Sequence, residues 1–124
     1  LTLLIVEDDN ASKMYLQEVL KEENLILLFA NTGTEALDQC RNHPEIGLIL
    51  MDIKLPEMNG FQATREIKKI RPNLPVIAQT AYAYPADKEK SLQAGCADYL
   101  SKPISPSLLL ETIKKYTQKR YGQF

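Results

Sequence analysis

Leu3-Leu4-Ile5-Val6-Glu7-Asp8 is an apolar run that stops abruptly at two carboxylates. Its apolar part lacks the polar alternation of a half-exposed strand. Uninterrupted runs of this kind belong to strands buried on both faces, as in parallel sheets covered by helices. Three later stretches repeat the design. Leu48-Ile49-Leu50-Met51 stops at Asp52, and Val76-Ile77-Ala78 leads through Gln79 to Thr80. Ala97-Asp98-Tyr99-Leu100 leads through Ser101 to Lys102-Pro103. As parallel strands of one sheet, these runs would bring Glu7, Asp8, Asp52, Thr80 and Lys102 to a single edge. In open α/β sheets, that carboxyl edge is where ligands bind.

Between the strand-like runs the sequence changes to helical spacing, so the chain reads as successive βα units around a parallel sheet. The first strand is expected over residues 2–6 and the first helix over 10–22. Asp9 or Asn10 caps that helix, and Tyr15, Leu16, Val19 and Leu20 form its buried stripe. A second strand covers 25–30. Thr32 and Glu35 stand at capping-box spacing before a helix with Ala36, Leu37 and Cys40 inward. The third strand runs to Met51, and a loop from Asp52 to Asn59 precedes a helix with Phe61, Thr64, Ile67 and Ile70 on one face. Pro72 and Pro75 bracket the turn into the fourth strand. Pro85 opens a polar, weakly amphipathic helix that Gly95 ends. Ser105-Pro106 opens the last helix, with Ile104 and Leu109 at hydrophobic-staple spacing. The expectation is one doubly wound α/β domain over residues 1–124, with five strands and five helices.

Composition narrows the function classes. The 124 residues suffice for one core without staples. A net charge of −1 argues against a dedicated nucleic-acid binder. Cys40 and Cys96 have no partner pattern and read as small packing residues. No run is long enough to span a bilayer, and no signal-like segment opens the chain, so a cytoplasmic location without direct membrane contact is expected. The chain begins at Leu1, as a piece of a longer protein would.

Acidic groups sharing one strand edge repel one another unless a cation lies among them. Magnesium suits such a site, because it takes oxygen ligands and is held by one or two carboxylates plus a phosphate. Asp9 is accounted for by the positive end of the first helix. Asp52 has no capping role, since its helix begins several residues later. A carboxylate there, near a metal, can act as a nucleophile on phosphorus. Phosphoryl transfer needs mainly positioning and charge neutralisation, to which the Lys102 ammonium would contribute. The Thr80 hydroxyl could donate to a phosphoryl oxygen. His43, before Pro44 at a helix end, reads as a loop histidine, and Lys114, Lys115, Lys119 and Arg120 as the solvated face and end of the last helix.

Four fragments together resemble one family. Leu-Ile-Val-Glu-Asp-Asp at 4–9, Met-Asp-Ile-Lys-Leu-Pro-Glu-Met-Asn-Gly at 51–60, Gln-Thr-Ala at 79–81 and Ala-Asp-Tyr-Leu-Ser-Lys-Pro at 97–103 resemble the receiver domains of two-component signalling, found in response regulators and hybrid histidine kinases. The resemblance implies a flavodoxin-like sheet of order 2-1-3-4-5, with Asp52 as phosphoacceptor. It implies Mg²⁺ among Glu7, Asp8, Asp52 and the Lys54 backbone carbonyl, with Thr80 and Lys102 gripping the phosphoryl group. A cis Lys102–Pro103 bond and a conformational switch through Thr80 and Tyr99 also follow from it. Lys54 and Tyr82 occupy positions that tune the lifetime of the acyl phosphate, and Tyr84 would lie on the output face. The implied donor is a histidine kinase or histidine phosphotransfer domain, in a phosphorelay or hybrid-kinase setting, including the cytoplasmic part of a membrane-bound kinase. A homodimer through the face of helices 4 and 5 is compatible with it. The competing expectation is a Mg-dependent phosphatase of an external substrate. Phosphatases of the haloacid dehalogenase type carry a second aspartate where this chain has Lys54.

Overall fold

Every residue of β1 (Thr2–Val6), β3 (Ile46–Asp52) and β4 (Val76–Thr80) is buried, whereas β2 (Ile26–Ala30) and β5 (Asp98–Ser101) are partly exposed. That difference follows from their places in the computed structural model, which describes residues 1–81 and 85–121. The five strands are parallel in the order β2-β1-β3-β4-β5, so the uninterrupted apolar runs fill the centre and the edges are β2 and β5. The helices are α1 (Asn10–Leu20), α2 (Gly33–Asn42), α3 (Gly60–Ile70), α4 (Pro85–Ala94) and α5 (Pro106–Tyr121). Among the described residues no helix is long and apolar enough to cross a membrane.

The period-two alternation of strand side chains divides the core in two. Leu4, Val6, Ile49, Met51, Val76 and Ala78 pack with Ala36, Leu37 and Cys40 of α2 and with Ala63 and Ile67 of α3. Leu3, Ile5, Leu48, Leu50 and Ile77 pack on the other face, with Leu16 and Leu20 of α1 and with Leu109 and Ile113 of α5. Full burial of one such aliphatic side chain contributes roughly 1.5–3 kcal/mol. Both cysteines are buried free thiols, as their spacing predicts.

Caps fix where the helices start. Asp9 accepts from the Ser12 N–H at 2.9 Å, Thr32 from the Glu35 N–H at 3.1 Å and Asn59 from the Gln62 N–H at 2.9 Å. Glu35 reaches back to the Asn31 N–H rather than that of the cap residue. Ile104 and Leu109 are both buried at the start of α5, where Ser105 accepts from the Leu108 N–H. Gly95 takes a left-handed φ of 107° just past α4, a conformation that favours glycine.

Several expectations need correcting. Helix α1 stops at Leu20, not residue 22, and β2 starts at Ile26. Only Leu16 and Leu20 of the expected α1 stripe are buried; Tyr15 faces outward enough for its hydroxyl to donate to the Ile104 carbonyl at 2.6 Å. The buried face of α3 is Gly60, Ala63, Thr64 and Ile67. Phe61 and Ile70 fall to either side of it, because steps of three and nine along a 3.6-residue turn drift off the stripe. The polar Thr64 is accommodated there by donating to the Gly60 carbonyl at 2.8 Å. Strand β3 extends one residue further than expected, so Asp52 is its last residue and not the first of the loop.

The loop after β3 folds back hard. The Gly60 N–H donates to the Ile53 carbonyl at 2.9 Å, and a Cβ on residue 60 would lie 2.3 Å from the Asp52 carbonyl oxygen. A backbone atom cannot give way as a flexible side chain would. Gly60→Ala is therefore expected to lower stability by about 3 kcal/mol in urea unfolding.

Candidate functional site

The carboxyl ends of the two central strands β1 and β3 put Glu7 and Asp52 side by side. The Glu7 N–H donates to the Ala30 carbonyl at 2.9 Å, continuing the β1–β2 pairing, and its side chain is fully buried. Asp52 is 6 % exposed, and the Ile53 N–H beyond it donates to the Gln79 carbonyl at 3.1 Å, holding the strand end against β4. Asp8 is exposed. Glu7, Asp8 and Asp52 each offer an oxygen within 4.8 Å of the others.

Lys102 enters from the segment after β5. Its N–H donates to the Thr80 carbonyl at 2.6 Å, and the Lys102–Pro103 peptide is cis. Its ammonium lies 2.6 Å from Glu7 Oε1 and 3.3 Å from Asp52 Oδ2. Thr80 ends β4 in register with Ser101 and is buried. The Lys54 N–H donates to Asp52 Oδ1 at 3.2 Å, so the residue after next fixes the carboxylate's second oxygen. Tyr99 is half-buried in β5 and packs against the core on the α2–α3 side. Tyr82 and Tyr84 lie outside the described residues. His43 pairs with Glu45 at 3.1 Å, away from the site.

Burial, followed by the neighbouring Glu7 carboxylate, pushes the Asp52 carboxyl up to about 6, while Lys102 and the Lys54 N–H pull the other way. Asp52 remains mostly ionised at neutral pH. Burial by itself would lower the Lys102 ammonium, but the hydrogen bond to Glu7 and the charges of Asp52 and Glu7 outweigh it and hold the group above its ordinary range. The donor set is oxygen only, with three carboxylates facing one ammonium. Such a hard, anionic cluster fits a magnesium-type cation.

Gly60 escaped the sequence reading. Its role is to let α3 start against the Asp52 carbonyl, and the Asn59-Gly60 pair after a proline-containing loop was the available signal.

Comparisons with known proteins point to one family. Residues 3–114 match the model of the response regulator receiver domain. The chain is 40% identical over 119 residues to the polar-differentiation response regulator DivK of Brucella ovis, covering 93% of this chain and 94% of that protein. It superposes with a TM-score of 0.85 on the receiver domain of a Pseudomonas aeruginosa sensor histidine kinase with a magnesium ion in its active-site cleft. That pair is 32% identical and covers 93% and 95% of the two chains. A Saccharomyces cerevisiae receiver domain, co-crystallised with its histidine phosphotransfer protein, gives a TM-score of 0.88 at 27% identity and covers 96% and 90%. The chain belongs to the response regulator receiver family and has a signalling role; none of these relatives supports the phosphatase reading.

The charge arrangement predicts opposite signs for two substitutions. Lys102→Ala strands two buried carboxylates and is expected to cost roughly 1–3 kcal/mol, allowing for the partial exposure of the lysine. Asp52→Asn removes a like charge beside Glu7 and is expected to leave stability unchanged or raised. Urea unfolding in the presence of a chelator measures both.

Proposed function

We propose that Asp52 accepts a phosphoryl group from the phosphohistidine of a histidine kinase or histidine phosphotransfer protein, within a two-component phosphorelay. The observation that carries this reading is a buried Asp52 whose oxygen lies 3.3 Å from the Lys102 ammonium. An Asp52 oxygen forms the new P–O bond as the P–N bond to the donor imidazole breaks, its electron pair staying on nitrogen. Lys102 turns from the carboxylates to a phosphoryl oxygen, and the Thr80 hydroxyl donates to another. Glu7, Asp8, Asp52 and the Lys54 backbone carbonyl would hold Mg²⁺, which when bound offsets the charge of the carboxylates and of the phosphoryl oxygens. The relative with magnesium in its cleft supports that choice of ion. The co-crystallised yeast receiver supports a phosphotransfer protein as donor.

The domain assists its own phosphorylation and dephosphorylation but turns over no external substrate. Thr80 and Tyr99 form the switch: the hydroxyl follows the added charge, and the half-buried ring of Tyr99 moves with it. Helix α4 suits this role, since Ser91 and Ala94 are its only buried residues and Leu92 is 51% exposed. Residues 1–124 act as one receiver unit on the cytoplasmic side, alone or within a hybrid kinase, without binding nucleic acid. Pairing through α4 and α5 is the form a homodimer would take.

Incubation with Mg²⁺ and acetyl phosphate, followed by intact mass, tests the reading. One hydroxylamine-labile phosphoryl group is expected on the wild-type chain and none on Asp52→Ala. A wild-type chain that stays unmodified with several donors, and that shows no Mg²⁺-dependent binding of beryllofluoride, would sink it. For lifetime, Tyr82→Ala is expected to shorten the acyl phosphate's half-life severalfold by admitting water, with Lys54 tuning the same access. An unchanged decay rate of the labelled chain would count against that role.

A further inference from the structure

The two edges of the sheet are finished differently. On β5, Asp98 accepts from the Tyr116 hydroxyl at 3.0 Å and lies 3.8 Å from the Lys115 ammonium, and the same hydroxyl donates to the Ala97 carbonyl at 2.8 Å. Charge and a covering side chain of this kind blunt an edge against further pairing. Strand β2 has no such device. It reads Ile-Leu-Leu-Phe-Ala, with no charged residue, proline or bulge, and only Ala30 is buried. Ile26 is 63% exposed.

The open backbone groups of β2 can be named. The Ile26 N–H donates to the Leu1 carbonyl and the Glu7 N–H to the Ala30 carbonyl, so the groups of Ile26, Leu28 and Ala30 face β1. Backbone groups alternate sides along a strand, which turns those of Leu27 and Phe29 outward. Their outward neighbours are already engaged: the Leu25 N–H donates to the Glu23 carbonyl at 2.8 Å, and the Asn31 N–H to Glu35 at 3.3 Å. Among the described residues only a long contact, from Gln39 Nε2 to the Phe29 carbonyl at 3.4 Å, covers what remains.

An edge of this pattern fits its own copy. With a two-fold axis at Leu28, antiparallel strands set Leu27 of one copy opposite Phe29 of the other, and each such pair exchanges both N–H···O bonds. The ends match in charge as well. Glu22 and Glu23 precede β2, while the Lys13 ammonium bonds to Asn31 just beyond it. Antiparallel pairing brings the acidic end of one copy towards the ammonium of the other, where parallel pairing would set acid against acid. A net charge of −1 leaves little repulsion between copies.

We propose that the β2 edge joins two copies of this chain into one continuous sheet, with Leu27 and Phe29 exchanging backbone hydrogen bonds across a two-fold axis at Leu28. This edge lies at the opposite side of the sheet from β5, so the contact leaves the α4–α5 face open. It does not depend on Asp52 being a phosphoacceptor, and the two readings fail separately.

Sedimentation and amide hydrogen exchange of the full chain, from micromolar to millimolar concentration, test the contact. Dimers are expected at the upper end, where the Leu27 and Phe29 amides exchange at least tenfold more slowly than at the lower end. The Leu28 amide, already turned to β1, should change far less. Ile26→Lys puts a charge into the edge at an exposed position and is expected to weaken association at least tenfold. Lys13→Glu and Glu23→Lys should each weaken it, and the two together should restore it, which damage to the fold would not do. A chain that stays monomeric at millimolar concentration overturns the proposal. So does a dimer whose Leu27 and Phe29 amides stay unprotected, or one that Ile26→Lys leaves intact. Failure of the charge-swapped pair to restore association overturns the antiparallel arrangement.

Discussion

Two carboxylates at the ends of neighbouring central strands stay buried because one ammonium reaches both. Lys102 lies 2.6 Å from Glu7 and 3.3 Å from Asp52, and the attraction is stronger there than it would be in open water. The strand order makes this contact available. Strand β1 lies beside β3, so Glu7 and Asp52 share one edge, and the segment after β5 returns over that edge against Thr80. A cluster of three carboxylates and one ammonium is still anionic. That excess of negative charge suits the site to a cation.

Burial is concentrated in the centre of the sheet. The three central strands are buried along their whole length and anchor two apolar layers, while α4 rests on little more than Ser91 and Ala94. Under the proposed phosphorylation, a charge added at the edge of the rigid sheet would act less on its centre than on the end of β4, on β5 and on the weakly held helix between them. Such an uneven distribution would let a local charge alter a surface without unfolding the domain.

The sheet was legible because burial on both faces leaves a direct mark: Leu3 to Val6 and Leu48 to Met51 carry no polar residue. Site residues were legible where they interrupt that mark, as Glu7, Asp52 and Lys102 do. Helix faces were harder to read. Tyr15 and Ile70 match helical spacing yet are substantially exposed, since spacing gives a stripe but not its width or where the helix leaves the sheet. Gln79 was hidden for a related reason. A single polar residue near a strand end looks like a solvated tip, yet Gln79 is 1% exposed.

Gly60 marks the limit of reading chemistry from side chains. The loop from Ile53 to Asn59 must return its far end to the Ile53 carbonyl, so that α3 begins directly beneath Asp52. Glu57 takes a φ of 68°, and the Met58 N–H donates to the Pro56 carbonyl across it, a tight reversal that an ordinary residue adopts only with strain. Neither residue touches the carboxylate cluster through its side chain. Both govern where the Asp52 backbone can sit, and with it the distance between Asp52 and Lys102. The acidic residues supply the site's charge, but its geometry is set by a loop whose two decisive positions are backbone conformations.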